Sequence, residues 1–423
     1  MYPFSVVCLC TNHKISRCLS SCTRRIFPVS LLLCMAVSLV AREVSDLCLG
    51  KPALRSLSVS ATVGDALSAL KRFGESYLSV WNCCHGSLRS KNIDSAQEEC
   101  RCIGKVCMVD VISFLAKEDN FLNPGAALQS PVSVLIPKEA AALVRHLEPH
   151  ASLLEAIDLI LKGAQNLVIP IQGPESRRKK ILFKPSLSPN LHNNREYCWL
   201  TQEDVIRFLL NSIGLFSPTP IQSIDSLDII DTESIFAVHY YYPASSALPM
   251  IFQSVITQTA VAVVDSENKI IGEISPFTLN SCDETVSAAI ATLTAGELMA
   301  FIDRGGPEDL IRVVRERLEH TNLSAALELI EEDSGISSSS SVYSSSSDEE
   351  FGLGRSGRYS SRSVVRKSEA IVCHRWSSLV AVMIQALSHR LSYVWVVEEN
   401  STLVGIVTFA GMMKVFRERL KSM

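Results

Sequence analysis

The sequence carries no strong charge of either sign. Its 40 Lys and Arg against 44 Asp and Glu leave a net charge of −4 over 423 residues. So even a balance lacks the basic field that gathers phosphate backbones, and no nucleic-acid partner is expected. A membrane-length apolar run is missing too. The stretch IFPVSLLLCMAVSLVA (26–41) has sixteen residues, where a spanning helix needs about 20, so no stable span is expected. There is no Walker A loop, no nucleophile elbow and no His-Glu-x-x-His, and no acid/base pair stands out, so the chain is not expected to be an enzyme. The fourteen cysteines are neither paired by spacing nor dense enough for a disulfide scaffold. Cys107, Cys198 and Cys373 lie in apolar, strand-like runs where a reduced thiol serves as a small hydrophobe, which points to a reducing, cytoplasmic setting.

Acidic residues are absent before Glu43, whereas Lys14, Arg17, Arg24 and Arg25 precede the 26–41 run. Residues 1–43 therefore read as an extension or a targeting segment. A secretory signal and an organelle transit peptide both fit 1–41. The plainer expectation is that Met35 is the working start and 1–34 an upstream extension.

What the chain does have is repetition. SLLEAIDLILKGAQNLVIPI (152–171) aligns without a gap to SLVAVMIQALSHRLSYVWVV (378–397), and TVGDALSALKRFGESYLSVW (62–81) fits the same frame. So does SSALPMIFQSVITQTAVAVV (245–264), with Pro249 as an irregularity near the helix start. Apolar spacing of three and four predicts an amphipathic helix, and the aliphatic run after it a buried strand. A second strand returns after a turn that is short at 265–269 and 398–402 and long at 82–101 and 172–196. Short apolar leads such as SIFAVHY (234–240) and EAIVCHR (369–375) complete a β-α-β-β-α unit. Starts at 62, 152, 245 and 378 are spaced by 90, 93 and 133 residues, and the longest interval holds the Ser-rich segment 334–368. That segment has too little apolar surface to order itself. A helical pattern over 284–330 joins it to the third unit.

The S-L-x-E-A-I helix start and the apolar–Gly–apolar–Thr–x–x–Asp strand-to-helix turn resemble the cystathionine-β-synthase (CBS) domain. Four units resemble plant CBS domain-containing proteins and are similar to the γ regulatory subunits of AMP-activated and SNF1-related kinases. The resemblance covers about 44–423 and implies an α/β (α+β) fold of four CBS repeats, paired sheet to sheet into two CBS (Bateman) modules. Module one would span 44–220, with repeats at about 50–120 and 132–215. Module two would span 221–423, with repeats at about 232–300 and 368–423 and the disordered insert between them. The resemblance further implies a non-enzymatic regulatory protein that senses AMP, ATP or S-adenosylmethionine and modulates a partner such as a SNF1-related kinase. It also admits a homodimer through the modules. The alternative is a ligand-free scaffold for protein–protein contacts.

In the family the Thr/Ser and Asp of the turn contact ribose and phosphate. Matching positions here are Thr201 and Asp204 in TQED, Asp110 in CMVD, Ser275 in SPFT and Thr408 in TFAG. Only TQED keeps both members, since Cys107, Thr278 and Gly411 replace the missing partners. Thr-x-x-Asp at a helix start is equally a capping box that needs no ligand.

The sequence carries weaker chemical signals as well. GLGRSG (352–357) matches a dinucleotide fingerprint in letters only, because no strand precedes it and no helix follows. CCH (83–85) with CRC (100–102) could gather metal ligands, but the spacing fits no familiar zinc knuckle and no metal is expected. RRKK (177–180) reads as a solvated loop. Ser345, Ser346 and Ser347 each have an acid three residues on, and Ser361 has Arg358 three before it, so all four are candidates for phosphorylation. Limited proteolysis should therefore nick 334–368 first and leave flanking fragments intact. Prompt cleavage within 245–278, read by mass spectrometry, would contradict the four-unit division.

Overall fold

The computed structural model describes residues 42–74, 76–83, 100–138, 140–171, 191–193, 195–321, 323–331 and 368–422. The 1–41 segment, RRKK, GLGRSG and the serines Ser345, Ser346, Ser347 and Ser361 lie outside them.

Each unit forms the same three-stranded sheet. Unit one contains β1 (Ser56–Ser58), α1 (Val63–Phe73), β2 (Leu78–Asn82), β3 (Arg101–Val106) and α2 (Met108–Leu115). Unit two contains β4 (Val144–His146), α3 (Leu153–Leu161), β5 (Asn166–Pro170), β6 (Tyr197–Thr201) and α4 (Gln202–Asn211). Unit three has β7 (Phe236–His239), α5 (Leu248–Thr257), β8 (Val261–Val264), β9 (Ile270–Ile274) and α6 (Pro276–Leu279). The expected helical pattern follows as α7 (Thr285–Thr292), α8 (Ala295–Asp303) and α9 (Glu308–His320). Unit four closes the chain with β10 (Val372–Cys373), α10 (Leu379–Ser388), β11 (Tyr393–Val397), β12 (Leu403–Thr408) and α11 (Phe409–Ser422).

In every unit the first two strands are parallel, which requires the helical crossover, and the last two are antiparallel across the turn. The middle strand is buried along nearly its whole length: all of Asn166–Pro170, Val261–Val264 and Tyr393–Val397, and Leu78–Trp81 of β2. That explains why these strands read as continuous aliphatic runs, since each of their two faces is covered by something different.

One face looks to helices. Leu78 and Val80 share a core with Val261 and Val263, and that core is roofed by α2, α5 and α7. Leu167 and Ile169 share a second core with Val394 and Val396 beneath α3, α4, α10 and α11. Helices thus join unit one to three and unit two to four. The other face meets a neighbouring sheet. Trp81, Val168 and Tyr197 pack between units one and two, and Ala262, Tyr393 and Trp395 between units three and four. Arg417 of α11 adds a two-pronged pair to Asp158 of α3, at 2.6 and 2.9 Å.

Local starts follow the repeat with one exception. Thr62, Ser152 and Ser378 are N-caps accepting from the backbone N–H three residues on. Ser245, aligned with them, lies instead in a 3₁₀ turn over Ala244–Ala247, and the α-helix begins at Leu248. Pro249 then falls in the first turn, where its missing N–H costs nothing. Cys107 also departs from the strand expectation, since it is the residue that enters α2.

The glycines in the returning strands have a shared cause. A Cβ on Gly272 would lie 2.6 Å from the Ser368 carbonyl oxygen, and one on Gly405 would lie 2.6 Å from Ile230 Cγ2 and 2.8 Å from the Asp231 carbonyl oxygen. In both cases another segment pairs against the strand: Ser368 O accepts from Glu273 N, and Asp231 exchanges two backbone bonds with Ile406. Gly405→Ala should therefore cost about 1–3 kcal/mol in urea unfolding. Gly125→Ala, at a helical site with open space, should be neutral or stabilising by up to about 1 kcal/mol.

Candidate functional site

The four strand-to-helix turns carry the residues singled out from the sequence. In unit two, Thr201 caps α4 and the capping box is complete. The Asp204 carboxylate accepts from the Thr201 backbone N–H and hydroxyl, both at 2.7 Å. The same Oδ2 also takes an ion pair from Lys51, whose ammonium donates to the Trp199 carbonyl at 2.7 Å as well. A hydrogen bond between the Cys198 and Cys48 thiols lowers the Cys48 thiol from its ordinary value. Lys51 arrives from the GKP stretch ahead of unit one, roughly 150 residues away in sequence, so nothing in the TQED motif announces it.

Unit one's turn differs. The Cys107 backbone N–H donates to Asp110 Oδ2 at 2.8 Å. Burial pushes the Asp110 carboxyl up and the Cys107 thiol well up. Asp110 lines a small cleft, part of it open to solvent, with Lys105 of unit one, Val144 and Gln165 of unit two, and Phe252 and Val255 of α5. The Lys105 ammonium donates to Asn166 Oδ1 at 2.7 Å and sits 4.5 Å from the centre of the Tyr77 ring. Burial lowers its pKa to about 8. Gln165 Nε2 ties the pocket wall to α5 by donating to the Val255 carbonyl at 3.0 Å. Lys105 stands two residues before the turn, at the only charged position of the CIGKVCMVD run besides Asp110, and that was the available signal.

The other two turns close on themselves. Ser275 and Thr278 are both buried; Ser275 Oγ accepts from Thr278 N at 3.2 Å, and Thr278 Oγ donates to the Ser275 carbonyl at 2.9 Å. Thr408 accepts from the Gly411 N–H at 3.2 Å. The turns of units one and three are brought together, because Asn280 Oδ1 accepts from the Val109 N–H at 3.2 Å. Among the described residues no helix is long and apolar enough to cross a membrane.

Four β-α-β-β-α units, paired through their sheets and carrying a polar strand-to-helix turn each, define a tandem CBS architecture. The chain is 47% identical to the CBS domain-containing protein CBSX5 of Arabidopsis thaliana, over 92% of this chain and 100% of that one, and it belongs to the CBS domain-containing proteins. It is 22% identical to the SNF1-related protein kinase regulatory subunit gamma-like PV42b of the same plant, over 90% of this chain and 96% of that one. Among solved structures, protein MJ1225 of Methanocaldococcus jannaschii, a candidate archaeal homologue of the AMPK γ subunit, shares the fold at a TM-score of 0.50 and 16% identity, covering 89% of this chain and 100% of that one. No protein-family model matches the chain.

The geometry of the TQED turn has a direct consequence for stability. Asp204→Ala removes the acceptor of two cap bonds and of Lys51. The fold should lose about 0.5–2 kcal/mol in urea, whether or not a ligand is present.

Proposed function

We propose that this chain is a non-enzymatic regulatory protein that binds an adenosine nucleotide in module one and relays its occupancy to a protein partner. The ligand class is AMP, ATP or S-adenosylmethionine, and the partner class is a kinase of the SNF1-related type or another regulated enzyme. The observation that carries this reading is the Lys105–Asp110 pocket. It sets an ammonium and a carboxylate at the start of α2, at the boundary of units one and two, among apolar walls. A carboxylate there can accept from ribose hydroxyls, while the ammonium and the helix start favour a phosphate. The name of the relative PV42b supports the kinase partner. The boundaries 44–220 and 221–423 are part of the reading, since each stretch holds one sheet-to-sheet pair. Buried thiols such as Cys107 and Cys373 fit a reducing cytoplasm.

A ligand-free scaffold is the second reading, and the closed turns favour it. Thr201 and Asp204 are engaged with each other and with Lys51, Ser275 with Thr278, and Thr408 with Gly411. On the first reading these three turns are structural and Asp110 is the ligand carboxylate.

Calorimetric titration of the full chain with AMP, ATP and S-adenosylmethionine separates the two. Saturable binding is expected for at least one, and Asp110→Ala should weaken it about tenfold to a hundredfold, the equivalent of about 1.5–3 kcal/mol. The pH dependence follows from Lys105. Its pKa of about 8 lies below the ordinary lysine value of 10.5, so the fold bears the cost of a desolvated ammonium below pH 8. Stability should rise as pH climbs from about 8 toward 10.5, where the unfolded chain binds the extra proton. A phosphate beside the ammonium favours the charged form, so affinity should fall over the same climb. Lys105→Met should remove both trends. No saturable binding at millimolar ligand sinks the sensor reading and leaves the scaffold.

A further inference from the structure

The long insertions of units one and two end at one place. Cys83 follows β2, Cys100 precedes β3, and His192 lies in the short segment before β6. Cys83 Sγ, Cys100 Sγ and a ring nitrogen of His192 all lie within 4.8 Å of one another, with Cys83 Sγ 3.1 Å from His192 Nδ1. From these donors we propose that Cys83, Cys100 and His192 form a zinc site that clamps the bases of the two insertions together across the sheet-to-sheet face of module one. This inference does not rest on the nucleotide reading.

The donor set suits the ion. Zinc takes thiolate sulfur at about 2.3 Å and imidazole nitrogen at about 2.0–2.1 Å, which gives tetrahedral edges of roughly 3.5–3.8 Å. The three donors need to move by well under 1 Å on average to meet those edges. Three protein donors leave one position of the tetrahedron for water or a further side chain.

The surroundings already orient the donors as outer-shell groups do. His192 Nε2 lies 2.9 Å from Ser56 Oγ, so with the proton on Nε2 the lone pair of Nδ1 is on the Cys83 side. The indole of Trp81 stacks on the imidazole at 3.7 Å between centres, with the planes 2° apart, which fixes the ring's plane. Asn193 exchanges two bonds with the Cys100 backbone, at 3.0 and 3.1 Å, so the His192 segment and the Cys100 strand start are held in register. His192 and Cys100 are only 5% and 6% exposed. Cys102, two residues on, is not part of the cluster: its thiol donates to the Gly104 carbonyl at 3.3 Å. Zinc binding displaces the thiol protons to solvent, so affinity falls as pH drops.

The test uses the full chain, reduced and stripped of metal, then loaded with zinc or with cobalt as a spectroscopic probe. About one zinc per chain should survive gel filtration. Cobalt should give thiolate-to-metal charge-transfer absorption in the near ultraviolet together with the visible bands of a tetrahedral site. Cys100→Ser and His192→Gln should each lose the bound metal while keeping the wild-type far-ultraviolet circular dichroism. Cys102→Ser should retain it. Ser56→Ala, which alters only the outer group, should weaken zinc by about 10- to 100-fold and leave the cobalt bands in place, so the proposal stays testable if a ligand variant fails to fold. Zinc retained in a Cys100→Ser/His192→Gln double variant would overturn the site. So would a wild type that holds no metal, or one whose thiol count shows a Cys83–Cys100 disulfide in place of metal binding.

Discussion

The fold depends on central strands that are apolar on both faces. Leu78 and Val80 of β2 point into one core and Trp81 into another, and the same division runs through β5, β8 and β11. A three-stranded sheet with one helical layer can cover only one of those faces, so a single unit would leave a row of aliphatic and aromatic side chains in water. Pairing sheets covers the second face, and the helical layers must then find partners of their own. Unit one meets three and unit two meets four through those layers. Four units are thus the smallest closed set in which every face of this kind is buried.

That constraint also decides where glycine is needed. Gly272 and Gly405 lie in returning strands at points where a linker backbone passes within van der Waals reach. Gly104, in the same register of unit one, faces Ile136 Cγ2 at 3.0 Å from where its Cβ would be. Unit two has Cys198 at this position, and no glycine is required. The glycine of the apolar–Gly–apolar pattern is the trace of segments crossing between units.

Most of the fold was legible because it rests on periodicity. The helix starts at Thr62, Ser152 and Ser378 and the aliphatic middle strands are local signals repeated at fixed spacing, and repetition makes each one check the others. Ser245 misled because an aligned serine says nothing of the backbone on either side of it; Pro243 and Pro249 bracket a 3₁₀ turn there. The sites were far less legible. Thr201 and Asp204 could be found from their motif, but the Lys51 ammonium that occupies Asp204 comes from outside the unit. His192 likewise reaches Cys83 from 109 residues away. Contacts between units are set by packing of whole sheets, and no local spacing encodes them.

The same packing explains why the two modules are not equivalent. Lys105 and Glu273 occupy the same register position, each directly after the glycine of the returning strand and on the face that meets the neighbouring sheet. In module one the position holds an ammonium beside a pocket, with Asn166 of unit two as its partner. In module two it holds a fully buried carboxylate that accepts from the Tyr393 hydroxyl at 2.9 Å and the Trp395 indole N–H at 2.7 Å. Those two rings fill the space between the sheets of units three and four, and the carboxylate would repel a phosphate brought there. On the nucleotide reading, the opposite charge at this one strand position distinguishes the cleft proposed to take an anion from one spent on holding two sheets together. Module one keeps the cation and the long insertions, while unit three of module two supplies α5, whose Phe252 and Val255 line the Lys105 cleft.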